Sequence, residues 1–111
     1  MAQQTPTADC SFHAGGVTDT SGRLIAESLG KRLGQQIVVD NKPGASGNIG
    51  TALAKSAPSD GYTLVLGFDG TMVINPHVFS KLPFDTAKDF APVGTIGDAT
   101  LVLVANPGVP A

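Results

Sequence analysis

Residues Tyr62-Thr63-Leu64-Val65-Leu66 constrain the fold of this chain more than any other segment. A strand made from them has almost no polar face. A strand buried on both faces belongs to a parallel sheet covered by helices. Ser59-Asp60-Gly61 turns the chain into it, and Gly67-Phe68-Asp69-Gly70-Thr71 stops it. Gln36-Ile37-Val38-Val39-Asp40 is a second, β-branched strand, turned by Asn41-Lys42-Pro43-Gly44. Thr100 to Ala105, with Leu-Val-Leu-Val at its centre, predicts another strand, and Ala91 to Gly97 a weaker one. Residues 1–9 are polar, and Ala8, Cys10 and Phe12 alternate with polar neighbours. The expectation for residues 1–11 is therefore disorder or a weak strand.

Helical periods separate these strands. From about Thr18 to Leu33, Ile25, Leu29 and Leu33 fall four apart and Leu24 joins their face, which predicts an apolar stripe toward the core. Lys31 and Arg32 suit the last turn and Gly34 the stop. A second helix starts near Ser46 or Asn48, runs through Ile49, Ala52, Leu53 and Ala57, and ends at Pro58. A shorter helical stretch, Met72 to Phe79, is interrupted by Pro76, and Lys81 to Phe90 reads as a loop. Strands and helices alternating at this spacing predict an α/β fold, a mostly parallel sheet with right-handed crossovers.

Composition narrows the function. The 111 residues amount to one domain or part of one. Aromatic residues make up 5% and Trp is absent, which argues against a stacking platform for bases. Net charge is −2 with the cations scattered, so nucleic acid and anionic membranes are poor partners. The single Cys10 excludes an internal disulfide, and with only His13 and His77 beside it no zinc spacing exists. The first sixteen residues lack the basic start and apolar centre of a signal peptide. No cofactor or metal is expected, and no paired carboxylates or nucleophile–base pair suggest catalysis.

The junction Ala14-Gly15-Gly16-Val17-Thr18-Asp19 is the main candidate site. Two glycines let backbone N–H groups crowd toward one point, and the helix that follows adds its unpaired N-terminal N–H groups and its dipole. The plainer alternative is a tight turn with Thr18 or Asp19 as a cap. In parallel sheets ligands sit beyond the carboxyl ends of strands. Two Gly-rich loops qualify, Phe12 to Asp19 and Gly67 to Thr71. Asp69 caps a helix or orients a ligand, and Thr71 offers a hydroxyl and an N–H. Gly44, Gly47 and Gly50 also follow a strand, but their order is not that of a dinucleotide fingerprint.

Several segments in order carry a family resemblance. They are Gly15-Gly16-Val17-Thr18-Asp19, Val38 through Gly50 (Val-Val-Asp-Asn-Lys-Pro-Gly-Ala-Ser-Gly-Asn-Ile-Gly), Ala57-Pro58-Ser59-Asp60-Gly61-Tyr62-Thr63-Leu64, Ile74-Asn75-Pro76, Leu82-Pro83-Phe84-Asp85, and Lys88 through Val93. Together they resemble the Bug family, the TctC-like extracytoplasmic solute receptors of tripartite tricarboxylate transporters. The resemblance implies a periplasmic-binding-protein-like fold of two α/β domains. This chain would supply the first, residues 12–111, with the second absent. It implies a periplasmic location, capture of a small organic carboxylate, delivery to membrane transporter subunits, and no catalysis. Carried onto this chain, the residues implied to grip a ligand carboxylate are Phe12, Ala14, Gly15, Gly16, Thr18, Asp19, Phe68, Asp69, Gly70 and Thr71. The polar stretch Gln3 to Cys10 departs from the apolar first strand of the family, and His13-Ala14 stand where a proline is usual. Open sheet edges in a one-domain chain predict self-association.

Overall fold

The computed structural model describes residues 6–10 and 14–110. Three parallel strands form one sheet in the order β2-β1-β3, with β1 at Thr7–Cys10, β2 at Val38–Asn41 and β3 at Thr63–Leu66. The polar segment near the amino terminus thus supplies the central strand. A middle strand gains ladder hydrogen bonds on both sides, which outweighs its weak propensity. Thr7 N–H donates to the Tyr62 carbonyl at 2.7 Å, and Val38 N–H donates to the Pro6 carbonyl at 3.0 Å.

Helix α1 (Val17–Leu33) joins β1 to β2 and packs on both. Gly34 closes it in the left-handed conformation at φ 68°, its N–H returning to the Gly30 carbonyl. Its buried residues are Asp19, Gly22 and Ala26. The predicted core stripe is corrected here: Leu24, Ile25 and Leu33 are exposed. Small residues win the inner face because the helix lies close to the chain leading into β2. A Cβ on Gly30 would sit 2.8 Å from the Gln35 carbonyl oxygen.

Helix α2 (Asn48–Ser56) crosses from β2 over β1 to β3 and packs on β1 and β3. The two crossovers step in opposite directions from β1. Right-handed connections therefore set α1 and α2 on opposite faces of the sheet. After β3, a π-helical turn (Gly70–Ile74) runs into a short helix α3 (Asn75–Val78). Pro76 lacks an N–H and crowds the preceding turn, and the wider π turn accommodates it.

Two further strand expectations fail. Residues 91–97 and 100–105 form no strand, and Leu101 and Leu103 are 93% and 100% exposed. A strand needs a neighbour to pair with. The sheet of the described residues ends at β3 with nothing paired on its outer side. Among the residues whose burial is described, the buried hydrophobic side chains include Ala26, Ile37 and Phe84. Phe84 meets Phe90 edge to face, ring centres 6.1 Å apart. Lys55 ties this loop to α2 through the Pro83 carbonyl at 3.0 Å and the Asp89 carboxylate at 3.0 Å.

Candidate functional site

The strand register levels Cys10, Asn41 and Leu66 at one edge of the sheet. The loops after all three strands therefore leave from the same side. The chain steps from β1 to one neighbour, β2, and then returns across to the other, β3. That reversal makes the crevice between the loops after β1 and β3 the place where open α/β sheets bind ligands. Those are the two Gly-rich loops expected from the sequence.

The first loop is held by one carboxylate. Asp19 is only 4% exposed. Its Oδ2 accepts from the Gly15 N–H at 2.7 Å. Its Oδ1 accepts from Arg23 Nε at 3.0 Å and from Asn41 Nδ2 at 3.1 Å. Arg23 in turn reaches the Asn41 Oδ1 with its other nitrogen at 3.1 Å. The Gly15 N–H first, then the Arg23 guanidinium, hold the Asp19 carboxyl below the usual carboxylate range, and Asn41 adds to this against the cost of burial. Asp19 stands in the first turn of α1, reaching back to the loop as an acidic residue in a capping box does. Gly16, the residue before the helix, makes no side-chain cap.

This arrangement sorts the donors. The Gly15 N–H is spent on Asp19. The first helical bond runs from Thr20 N–H to the Gly16 carbonyl at 2.9 Å. The N–H groups of Gly16, Val17, Thr18 and Asp19 therefore have no carbonyl within the helix and point out of its positive end. Ala14, Gly15, Gly16 and Val17 are exposed and Thr18 is half-buried. Gly15 takes φ +88°, which an L side chain rarely adopts. Phe12, also expected at the site, lies outside the described residues.

The second loop is built differently. Asp69 Oδ1 accepts from the Gly70 N–H at 2.8 Å, so Asp69 caps the helix that follows β3. The Phe68 ring lies against Gly70, in the space where a Cβ would stand. Thr71 is fully buried, and its hydroxyl donates to the Ser46 carbonyl at 3.2 Å. Asn75, 6% exposed, donates from Nδ2 to the same carbonyl at 3.1 Å and to Asn48 Oδ1 at 2.8 Å. Thr51, also fully buried, donates to the Gly47 carbonyl at 2.9 Å.

These bonds hold a strained turn. Gly44, Ala45, Ser46 and Gly47 all have positive φ, at 129°, 47°, 54° and 87°. For Ala45 and Ser46 this costs of order 1–2 kcal/mol each, and it persists because the buried amide and hydroxyls fix the carbonyls. Sequence reasoning missed Arg23, Asn41, Ser46, Asn48 and Asn75. Arg23 was findable as a cation four residues after Asp19 on a helix. The others act across folds of the chain and carry no local signal.

The open groove of about 450 Å³ along α2 is elsewhere. Ile49, Leu53, Phe79 and Pro83 line it, with Lys81, and neither Gly-rich loop contributes. No group of three metal-ligating side chains occurs among the described residues.

The family model described as "Tripartite tricarboxylate transporter family receptor", TctC, matches residues 22–111. This chain belongs to the TctC family. Members of the family are receptors rather than enzymes, and similar solved structures include a periplasmic transporter and the periplasmic binding protein BugD. BugT of Bordetella pertussis is 44% identical over 98 residues, covering 86% of this chain and 30% of the relative. MatC from Rhodopseudomonas palustris, solved with bound malate, superposes with a TM-score of 0.78 at 39% identity, covering 84% of this chain and 32% of that one. A second R. palustris protein, solved with adipate, gives a TM-score of 0.70 at 37% identity, covering 78% of this chain and 28% of that one. The chain spans less than a third of the length of the curated relatives it matches. The α/β, parallel-sheet architecture is common to these neighbours and to this chain.

Proposed function

We propose that this chain captures a small organic carboxylate at the crevice between its two Gly-rich loops, as the first domain of a receptor that serves a tripartite tricarboxylate transporter in the membrane. The observation that carries this reading is the positive end of α1, opening at the β1/β3 reversal point with four N–H groups free of helical acceptors. MatC with malate and its relative with adipate are similar proteins that hold dicarboxylates. On this reading Ala14, Gly16, Thr18, Phe68, Asp69 and Gly70 border the ligand, and Phe12 adjoins them in sequence. Gly15 and Asp19 shape the loop, and Thr71 holds the neighbouring turn. The described residues supply one wall of the crevice, and that wall by itself binds in the millimolar range, of order −4 kcal/mol.

Isothermal titration with malate, succinate, glutamate and a neutral sugar tests the reading. Saturable heat from the acids alone supports it. A folded chain that takes up none of the acids refutes it.

A second reading has its own observation. Leu101, Val102, Leu103 and Val104 are 74–100% exposed, an apolar run that water does not tolerate well. The chain is then a non-binding fragment that acts only as a self-associating α/β module. Light scattering at rising concentration separates an associating chain from a monomer.

A further inference from the structure

We infer that Arg23 is what lets the first loop accept an anion: its guanidinium cancels the charge of Asp19, the carboxylate that shapes the loop, and so keeps Asp19 from repelling the ligand's own carboxylate. Arg23 is a positioning residue that acts through Asp19, and its role rests on the carboxylate-capture reading above.

The loop contains a conflict of charge. Asp19 fixes Gly15 by accepting its N–H at 2.7 Å on Oδ2. The same carboxylate stands beside the N–H groups left for a ligand. One residue spans at most about 3.6 Å, so the Gly16 nitrogen lies within about 6 Å of that oxygen. A ligand oxygen on the Gly16 N–H is one hydrogen bond further away, within about 9 Å. Near a protein surface, like charges at that range weaken binding about fivefold. Asp19 is buried, so water and salt screen it little. Asp69, the acid of the second loop, is exposed and therefore screened.

Arg23 supplies the cancelling charge. It stands one helical turn after Asp19, and its Nε donates to Oδ1 at 3.0 Å. Asn41, at the end of β2, closes a ring with the pair. Its Nδ2 donates to Asp19 Oδ1 at 3.1 Å, and its own Oδ1 accepts from Arg23 Nη2 at 3.1 Å. The ring keeps the guanidinium on the oxygen that does not serve Gly15. The two carboxylate oxygens thus have separate tasks: Oδ2 holds the loop, and Oδ1 meets the cation.

The other ion pairs described do not share this arrangement. Lys31, Lys42 and Lys55 pair with other acids, Glu27, Asp40 and Asp89. Lys31 and Glu27 also stand four residues apart on α1, but both are exposed, and such a pair contributes little. In the Arg23 pair the acid is buried and bonded to the loop at the crevice.

Amide mapping of the whole chain during titration with malate, read at Gly16 and Thr18, tests this. Arg23→Gln keeps a side-chain N–H donor and a good helix former at a half-exposed position, but removes the charge. The expected Kd for malate rises about fivefold. Arg23→Lys keeps the charge without the fork that reaches Asn41, and its expected Kd stays within about twofold of the parent. Adding Asp19→Asn to Arg23→Gln removes the charge left uncancelled and keeps an oxygen for the Gly15 N–H. The double variant is expected to return to within about twofold of the parent. A second loss of bonding would not repair a loop that had merely lost its shape. An Arg23→Gln chain that binds like the parent overturns this inference, as does a double variant as weak as Arg23→Gln, and either leaves the capture reading standing. A folded parent chain that binds no malate overturns the capture reading and this inference with it.

Discussion

The side-chain nitrogen of Asn75 lies 3.1 Å from the carbonyl oxygen of Ser46, and this bond ties the turn after β2 to the helix after β3 across 29 residues. The same nitrogen serves Asn48 Oδ1 at 2.8 Å, and Asn48 and Asn75 are both buried. The strained turn beside the crevice is thus held by a polar network rather than by apolar packing.

Replacing Asn75 tests that network. Asn75→Ala leaves the Asn48 side-chain oxygen buried without this donor, and the expected loss of stability is about 1–3 kcal/mol. Thr71→Val leaves the Ser46 carbonyl its Asn75 donor, and the expected loss is nearer 1 kcal/mol. Because both residues serve one carbonyl, the double variant departs from the sum of the two. Urea denaturation reads all three.

Gly15 tests the loop's backbone. Nothing lies within 4 Å of the position a Cβ would take, so Gly15→Ala meets no clash and pays only for φ +88°. The expected cost is about 1–2 kcal/mol, with weakened carboxylate uptake because the loop shifts. An Ala variant as stable as the parent in thermal melts contradicts this conformation.

Asp19 gives the chain a pH dependence. Its carboxyl is held below the ordinary value of 3.8 by the Gly15 N–H first and then by Arg23. The unfolded chain therefore binds this proton more readily than the folded one. The stabilisation is present above about pH 4 and fades as pH falls from there through the folded-state value. Asp89, held low by the Asp85 N–H and Lys55, titrates in the same direction. Melting temperatures from pH 6 down to pH 2.5 are expected to fall, and to fall less steeply in Asp19→Asn.

The sheet, α1 and α2 were legible because each is a local pattern: β-branched runs, four-residue periods, and glycine or proline at the joints. β1 was marginal because its stability comes from two neighbours and not from Thr7, Ala8, Asp9 and Cys10 themselves. The reverse holds for Leu101–Val104, where strong strand propensity finds no partner among the described residues. The stripe of Leu24, Ile25 and Leu33 misled because glycine and alanine allow a closer approach than leucine does. At the site, the Gly-rich loops were visible in sequence. The division of labour was not: Asp19 and Thr71 are spent on Gly15 and Ser46, contacts that only the folded chain creates.

Backbone amide mapping during titration with malate, with glucose as control, tests the central claim most directly. The account predicts saturable shifts at Gly16, Val17, Thr18 and Gly70 in the millimolar range, produced by the acid and not by the sugar. Shifts confined to other residues, or none at all in a folded chain, contradict it.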